Sequence, residues 1–138
     1  MHDVEATAAD IIDAALKLHR GLGPGLLESV YENILAAKLV ERGHSVAQQC
    51  PIDIEYDGLR FQQAFRADLI VNGSVLVEVK SVERLLPVHG KQVLTYLRLL
   101  KQPFGLLINF GGDTLKEGLR RIVNDHRNFA SSRLRVNQ

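Results

Sequence analysis

Three charged residues interrupt an apolar stretch of the sequence and are the first candidates for chemistry. Asp68, Glu78 and Lys80 stand in segments that otherwise consist mainly of Val, Leu and Ile. Leaving a carboxylate or an ammonium unpaired in such a sheet would cost several kcal/mol, so a compensating group is needed. A hard divalent cation bound by both acids would satisfy them. The alternative without chemistry is a structural ion pair near one end of the sheet.

The strand register decides whether the two acids can share a cation, because a slip of one residue exchanges the faces of a sheet. A two-residue turn at 72–73 would send the acids to opposite faces. A three-residue loop over 71–73 with a left-handed Gly73 pairs Ile70 with Ser74 and places the acids diagonally on one face. We predict the three-residue loop or an equivalent bulge.

Eight elements are predicted around these residues, in the order α-α-β-β-β-α-β-α. Apolar residues at helical spacing predict helices over residues 5–20, about 27–42 and 89–101, and strand patterns cover 46–56, a returning segment that ends at Val71, 75–82 and 104–110. The first three strands form an antiparallel meander, and the third helix crosses over to the fourth strand. A last helix is predicted from four apolar residues: Leu115, Leu119, Ile122 and Val123.

Length and composition indicate one domain with a single core. We assign residues 1–128 to this domain and 129–138 to a flexible basic tail. The net charge of +1 gives no global field for a polyanion, so any nucleic-acid contact must come from local patches. One cysteine, acids near the start and the lack of a long apolar run predict a cytoplasmic protein without membrane contact.

Three motifs together resemble the PD-(D/E)XK nuclease superfamily. Asp68 precedes the Glu78-Val79-Lys80 triplet by nine intervening residues, as in the core motif of that superfamily. The segment GLLESVY (25–31) is similar to the GxxExxY signature of one small branch, and QVLTY (92–96) matches a QxxxY motif. The resemblance implies a restriction-endonuclease-like α/β fold, in which helices flank a central mixed sheet. Ala67 replaces the proline of the core motif.

The resemblance also implies roles for individual residues. Asp68 and Glu78 would bind Mg²⁺, for which Mn²⁺ can substitute, with the carbonyl of Val79 as a third ligand and Glu28 as a further one. Lys80 would orient or deprotonate the attacking water. One or two such ions polarise a phosphodiester, lower the pKa of the water and stabilise the leaving oxygen.

Two helices carry further candidates. Glu28 precedes Tyr31 by three residues, which places it on the buried stripe of the second helix and predicts that it points inward; its alternative role is to complement the helix dipole. His89, Gln92 and Tyr96 fall on one side of the third helix and are candidate contacts to a phosphate or a base. The alternatives are core packing for Tyr96 and a surface position for His89.

Three functions are compatible with these residues. The first is a Mg²⁺-dependent nuclease that hydrolyses phosphodiester bonds in DNA. The second is a catalytically silent module of the same fold that binds nucleic acid or protein. The third is hydrolysis of another phosphate ester. The sequence leaves open DNA versus RNA, strandedness, end dependence and oligomeric state, with a homodimer as one option.

Overall fold

Two helices open the computed structural model, which describes residues 3–124. Helix α1 (Val4–Leu22) begins where the side chain of Asp3 accepts a hydrogen bond from the backbone of Glu5, and helix α2 is Glu28–Glu41. Asp3 thereby satisfies one of the free N–H groups at the helix start. Both predicted helices are confirmed within a few residues at their ends.

A five-stranded mixed sheet follows, with its strands in chain order across the sheet. The strands are β1 (Val46–Tyr56), β2 (Leu59–Val71), β3 (Val75–Lys80), β4 (Phe104–Asn109) and β5 (Leu119–Val123), and helix α3 (Pro87–Leu100) connects β3 to β4. Strands β3 and β4 are parallel, whereas the other neighbours are antiparallel. The predicted central mixed sheet with flanking helices is confirmed.

The two faces of the sheet are covered by different helices. Val77 and Val79 pack in the cluster that includes α1 and α2, while Leu76 packs with Val93 and Leu97 of α3. This alternation follows from the two-residue period of a strand. Glu78 and Lys80 therefore share the strand face of Leu76.

The predicted last helix is wrong. Residues 116–118 form a short 3₁₀ turn, and the next five residues form β5, which pairs antiparallel with β4. Leu119 packs in the α1–α2 cluster and Ile122 in the α3 cluster, so these residues alternate between the faces of the sheet. Pairing with the open edge of β4 outweighs the local helical spacing, because unpaired backbone groups of a buried strand are costly.

The loop between β2 and β3 has the predicted length but is displaced by one residue. Val71 pairs with Val75, so the loop spans 72–74 instead of 71–73. Asn72 adopts a left-handed conformation with φ 54°, which lets β2 continue one residue further than predicted. The parity of the register is unchanged, and extending it by one residue beyond the Leu69–Val77 pair places Asp68 opposite Glu78 instead of diagonal to it.

The predicted basic tail, 129–138, lies outside the described residues. Among residues 3–124, no helix is long and apolar enough to cross a membrane.

Candidate active site

The two sheet acids are in direct contact. The backbone N–H of Asp68 donates to Oε2 of Glu78 at 2.8 Å, and the backbone N–H of Val79 donates to Oδ2 of Asp68 at 2.8 Å. Each carboxylate is thus anchored by the strand that carries the other. The structure brings the two acids together at the end of β3 where Lys80 lies.

Glu78 is the most perturbed acid of the site. Its side chain is buried, with 4% of the residue exposed. Burial raises the pKa of Glu78 from 4.5 to about 8, and the negative charge of Asp68 adds to the rise, while a backbone hydrogen bond and Lys80 oppose it. Burial and the neighbouring acid therefore disfavour the charged form of Glu78, and perturbed acids of this kind occur often at functional sites.

A third acid near the site, Glu32 of α2, was not among the candidates predicted from the sequence. It is buried, and its Oε1 accepts a hydrogen bond from Nε2 of Gln49 at 2.7 Å. The same Nε2 donates to Oδ1 of Asp68 at 3.2 Å. Burial raises the pKa of Glu32, and the charges of Asp68 and Glu28 add to that effect. Gln49 thus joins the acids of α2 and β2, and the backbone of Asp68 joins them to Glu78 of β3.

Glu28 does not point into the core as predicted. It is exposed at the first position of α2, where no preceding helical turn and no strand covers it. Glu32 lies four residues later on the same helix side and occupies the buried place. The four-residue spacing places Glu32 on the same helix side as Glu28 and was the signal that marked it as an alternative, although spacing does not decide between the two turns. The charge of Glu28 still acts on Glu32, so Glu28 lies at the rim of the site.

The glycine and tyrosine of the GLLESVY segment build the start of α2. The hydroxyl of Tyr31 donates to the carbonyl of Gly23 at 2.6 Å and accepts from the N–H of Leu26 at 3.1 Å. Its ring is fully buried and stacks on Phe110 at 4.6 Å between centroids. Gly25 has φ +110°, which a residue with a side chain rarely adopts. These contacts fix the loop from which α2 presents its acids.

The backbone beyond β3 is fixed by two side chains that the sequence did not single out. Nδ2 of the buried Asn109 donates to the carbonyl of Val82 at 2.8 Å, and its Oδ1 accepts from the N–H of Val82 at 2.9 Å. The hydroxyl of Ser81 donates to the carbonyl of Leu26 at 2.6 Å. The segment that follows Lys80 is therefore tied to both β4 and the α1–α2 loop.

The three candidates on α3 occupy different environments. Tyr96 stacks on Phe65 of β2 with centroids 3.9 Å apart, and burial together with the nearby sheet acids raises the pKa of Tyr96. Gln92 is exposed one turn earlier. Nδ1 of His89 accepts the N–H of Leu86 at 2.9 Å and so caps the start of α3. Tyr96 lies near the acids, whereas His89 has a structural role that the sequence did not predict.

The acids fit a hard divalent cation in type and charge. Carboxylates of Asp68, Glu78 and Glu32 are the oxygen donors that Mg²⁺ prefers, and the pKa of Glu78 is raised mainly by burial and further by the charge of Asp68, an effect that a bound cation would oppose. In the described part of the chain, however, no group of three or more His, Cys, Asp or Glu residues is arranged to hold a metal ion. Instead, carboxylate oxygens of Asp68 and Glu78 accept hydrogen bonds from protein N–H groups, among them the side-chain amide of Gln49.

Comparison with known proteins adds an independent observation. The family model of the PD-(D/E)XK nuclease superfamily matches residues 5–122. No curated protein matches the sequence significantly. The crystal structure of SSO0001 is similar with a TM-score of 0.45 and 18% sequence identity, over 89% of this chain and 64% of that one. Because the family match spans nearly the whole described fold, the chain belongs to the PD-(D/E)XK nuclease superfamily.

Proposed function

We propose that this protein is a metal-dependent nuclease that hydrolyses phosphodiester bonds of DNA by attack of an activated water. The observation that carries the proposal is the hydrogen-bonded contact of Asp68 with the buried Glu78, with Lys80 two residues further along the same strand. Membership of the nuclease superfamily supports the reaction class. We further propose that it belongs to the GxxExxY branch, because residues 25–31 carry that signature.

In this proposal Asp68 and Glu78 hold the metal, and Glu32 and the carbonyl of Val79 are further oxygen donors. Glu28 remains a candidate at the rim, where a small movement of the first helical turn would bring its carboxylate closer. When bound, Mg²⁺ or Mn²⁺ polarises the phosphodiester and lowers the pKa of a water. The chain itself supplies the fixed carboxylates, each held by a backbone N–H of the neighbouring strand.

Lys80 is proposed to position the attacking water. It follows Glu78 by two residues and so projects from the same strand face. The backbone carbonyl of Lys80 accepts from Phe110 at 2.8 Å, which fixes the end of β3. The charge of Lys80 acts on Glu78, and an ammonium at this position can donate hydrogen bonds to the nucleophile and to the phosphate that it attacks.

The exposed side of α3 is proposed to bind the substrate. Tyr96 is immobilised by its stack on Phe65, and Gln92 offers an exposed amide one turn away. Amides and hydroxyls of this kind bind phosphate and sugar oxygens and thereby set the position of a strand on the protein. His89 would contribute its outer ring nitrogen, since Nδ1 already bonds to the helix start.

A second candidate is a catalytically silent module that binds nucleic acid or a protein. It is favoured by the internal hydrogen bonds of the acids, which leave no three-residue metal cluster within residues 3–124. Such a protein would use the same face for binding without turnover. The two candidates differ in metal binding and in cleavage.

The test is cleavage of single- and double-stranded DNA and RNA with Mg²⁺, with Mn²⁺ and with chelator. We expect metal-dependent cleavage that is lost in Asp68→Asn, Glu78→Gln and Lys80→Met, all of which preserve side-chain volume. Glu55→Gln is the matched control, because Glu55 is an exposed acid on β1. Binding of nucleic acid without cleavage by the wild type would favour the silent module. The absence of both metal binding and cleavage would refute the nuclease.

A further inference from the structure

Gln49 has an unusual backbone beside the site. Strand pairing joins Gln48 to Leu69 and Cys50 to Ala67, but Gln49 between them is left-handed with φ 50°. Non-glycine residues rarely adopt this conformation, and where they do the surroundings enforce it, often next to a functional site. The irregularity re-aims the side chain of Gln49 toward the acids of α2 and β2.

The amide of Gln49 joins two acids that belong to different elements. Its Nε2 donates to Oε1 of Glu32 at 2.7 Å and to Oδ1 of Asp68 at 3.2 Å. An amide nitrogen carries two N–H groups, and both are used here. Carboxylates accept hydrogen bonds when ionised, so the NH₂ end of the amide and not its carbonyl end faces them. The partial positive charge of this group lies where a shared cation would neutralise the same two acids.

The oxygen of Asp68 that Gln49 holds is the one that a metal would need. Oδ2 of Asp68 is already bonded to the backbone N–H of Val79. Oδ1 is therefore the oxygen with most lone-pair capacity left, and the Gln49 amide occupies it. A divalent ion between Glu32 and Asp68 would compete with this amide for the same carboxylate oxygens.

We propose that Gln49 is a latch that joins Glu32 to Asp68 in the metal-free protein and releases both when the site is loaded. The inference rests on the proposed function, since it assigns Gln49 a role at that metal site. Gln49 is a positioning residue: it keeps two like-charged acids in place before loading and competes with the metal for their oxygens. Its removal should weaken the metal-free fold and tighten metal binding at the same time.

The matched control is the neighbouring glutamine. Gln48 donates to Oε2 of Glu32 at 3.1 Å and to Oδ1 of Asn33 at 2.7 Å, and it has no hydrogen bond to Asp68. Gln48 and Gln49 therefore share one acid partner but differ in whether they bridge the site. A variant of Gln48 tests for general effects of losing a glutamine next to Glu32.

The experiment is calorimetric titration of full-length wild type, Gln49→Met and Gln48→Met with Mn²⁺ alone, together with melting curves in chelator and in saturating Mn²⁺. We expect Gln49→Met to bind Mn²⁺ at least about tenfold more tightly, because a single hydrogen bond to a charged group that no longer opposes binding is worth about that factor and Gln49 makes two. Its melting temperature should fall in chelator and stay near that of wild type in Mn²⁺. Gln48→Met should bind Mn²⁺ as the wild type does.

The sign of the change in affinity separates the possible roles. Unchanged affinity in Gln49→Met, with melting lowered equally in both conditions, would show a structural role and overturn the latch. Weaker Mn²⁺ binding by Gln49→Met would indicate that Gln49 is itself a metal ligand and would also overturn the latch. If Gln49→Met fails to fold, Gln49→Gly replaces it, because glycine accepts φ 50° and must show the same tightening. A wild type that binds no Mn²⁺ would refute the proposed function itself.

Discussion

Replacing Glu78 with glutamine is expected to stabilise the metal-free protein. The carboxyl is buried, and its pKa is raised from 4.5 to about 8 chiefly by that burial. Between pH 4.5 and 8 the unfolded chain releases the proton of Glu78 while the folded chain keeps it. The contribution of Glu78 to the free energy of unfolding of the wild type is therefore highest below pH 4.5, where Glu78 is protonated in both states, and falls by about 1.4 kcal/mol per pH unit as the pH rises toward 8.

At pH 7 the loss covers the interval from 4.5 to 7, which corresponds to about 3 kcal/mol. Glutamine carries no charge at any pH, and its carbonyl oxygen can still accept the hydrogen bond from the backbone of Asp68. The free energy of unfolding of Glu78→Gln should exceed that of wild type by this amount. Such a gain would agree with the role proposed for Glu78, because residues of active sites are selected for function at the expense of stability.

The assay is urea unfolding of wild type and Glu78→Gln in chelator at several pH values from 4.5 to 8.5. We expect the two unfolding free energies to agree near pH 4.5 and to diverge steadily up to about pH 8. Glu55→Gln, in which an exposed acid of β1 is changed, should show no such divergence. A Glu78→Gln protein that is no more stable than wild type at pH 7 would refute the reasoning and indicate a structural ion pair.

Three further predictions concern the scaffold of the site. Tyr31→Phe removes the hydroxyl that bonds to two backbone groups of the α1–α2 loop, so it should lower the free energy of unfolding by about 1–2 kcal/mol in urea, whereas Tyr56→Phe at an exposed position should not. Asn109→Ala leaves the backbone of the segment after β3 without its side-chain partners and should cost about 3 kcal/mol in the same assay; a cost below that of Tyr31→Phe would contradict this role. The hydrogen bond from His44, aided by Arg42, holds the pKa of Asp10 below its usual range, so the stability it contributes is present above about pH 4 and is lost as the pH falls further. Asp10→Asn should therefore be less stable than wild type at pH 7, with the difference shrinking in acid during a pH series of melting curves.

Much of the fold follows from local patterns in the sequence. The period of apolar residues identified three helices and four strands, because each has one face or both faces in a continuous core. Strand β5 was mistaken for a helix because Leu119 and Ile122 also fit helical spacing. Only the open edge of β4, which is a property of the assembled sheet, decides that this segment is extended.

The placement of the candidate site residues was predictable on the strands and less so on helix α2. Asp68 and Glu78 are unusual among apolar neighbours, and their convergence required only the correct parity of the loop. Glu32 and Glu28 lie on one side of α2, and spacing alone cannot say at which turn the helix enters the core. The contacts of Gln49 could not be predicted, because they depend on a left-handed backbone within a strand.

The central claim is that Asp68 and Glu78 share one divalent ion. The most direct test is a crystal structure of the full chain with Mn²⁺, using the anomalous signal of the metal. We expect one peak about 2.1 Å from a carboxylate oxygen of each of these two acids, with the amide of Gln49 turned away from Asp68. A Mn²⁺-saturated crystal without a peak between Asp68 and Glu78, in which the hydrogen bonds of both acids are unchanged, would contradict the claim.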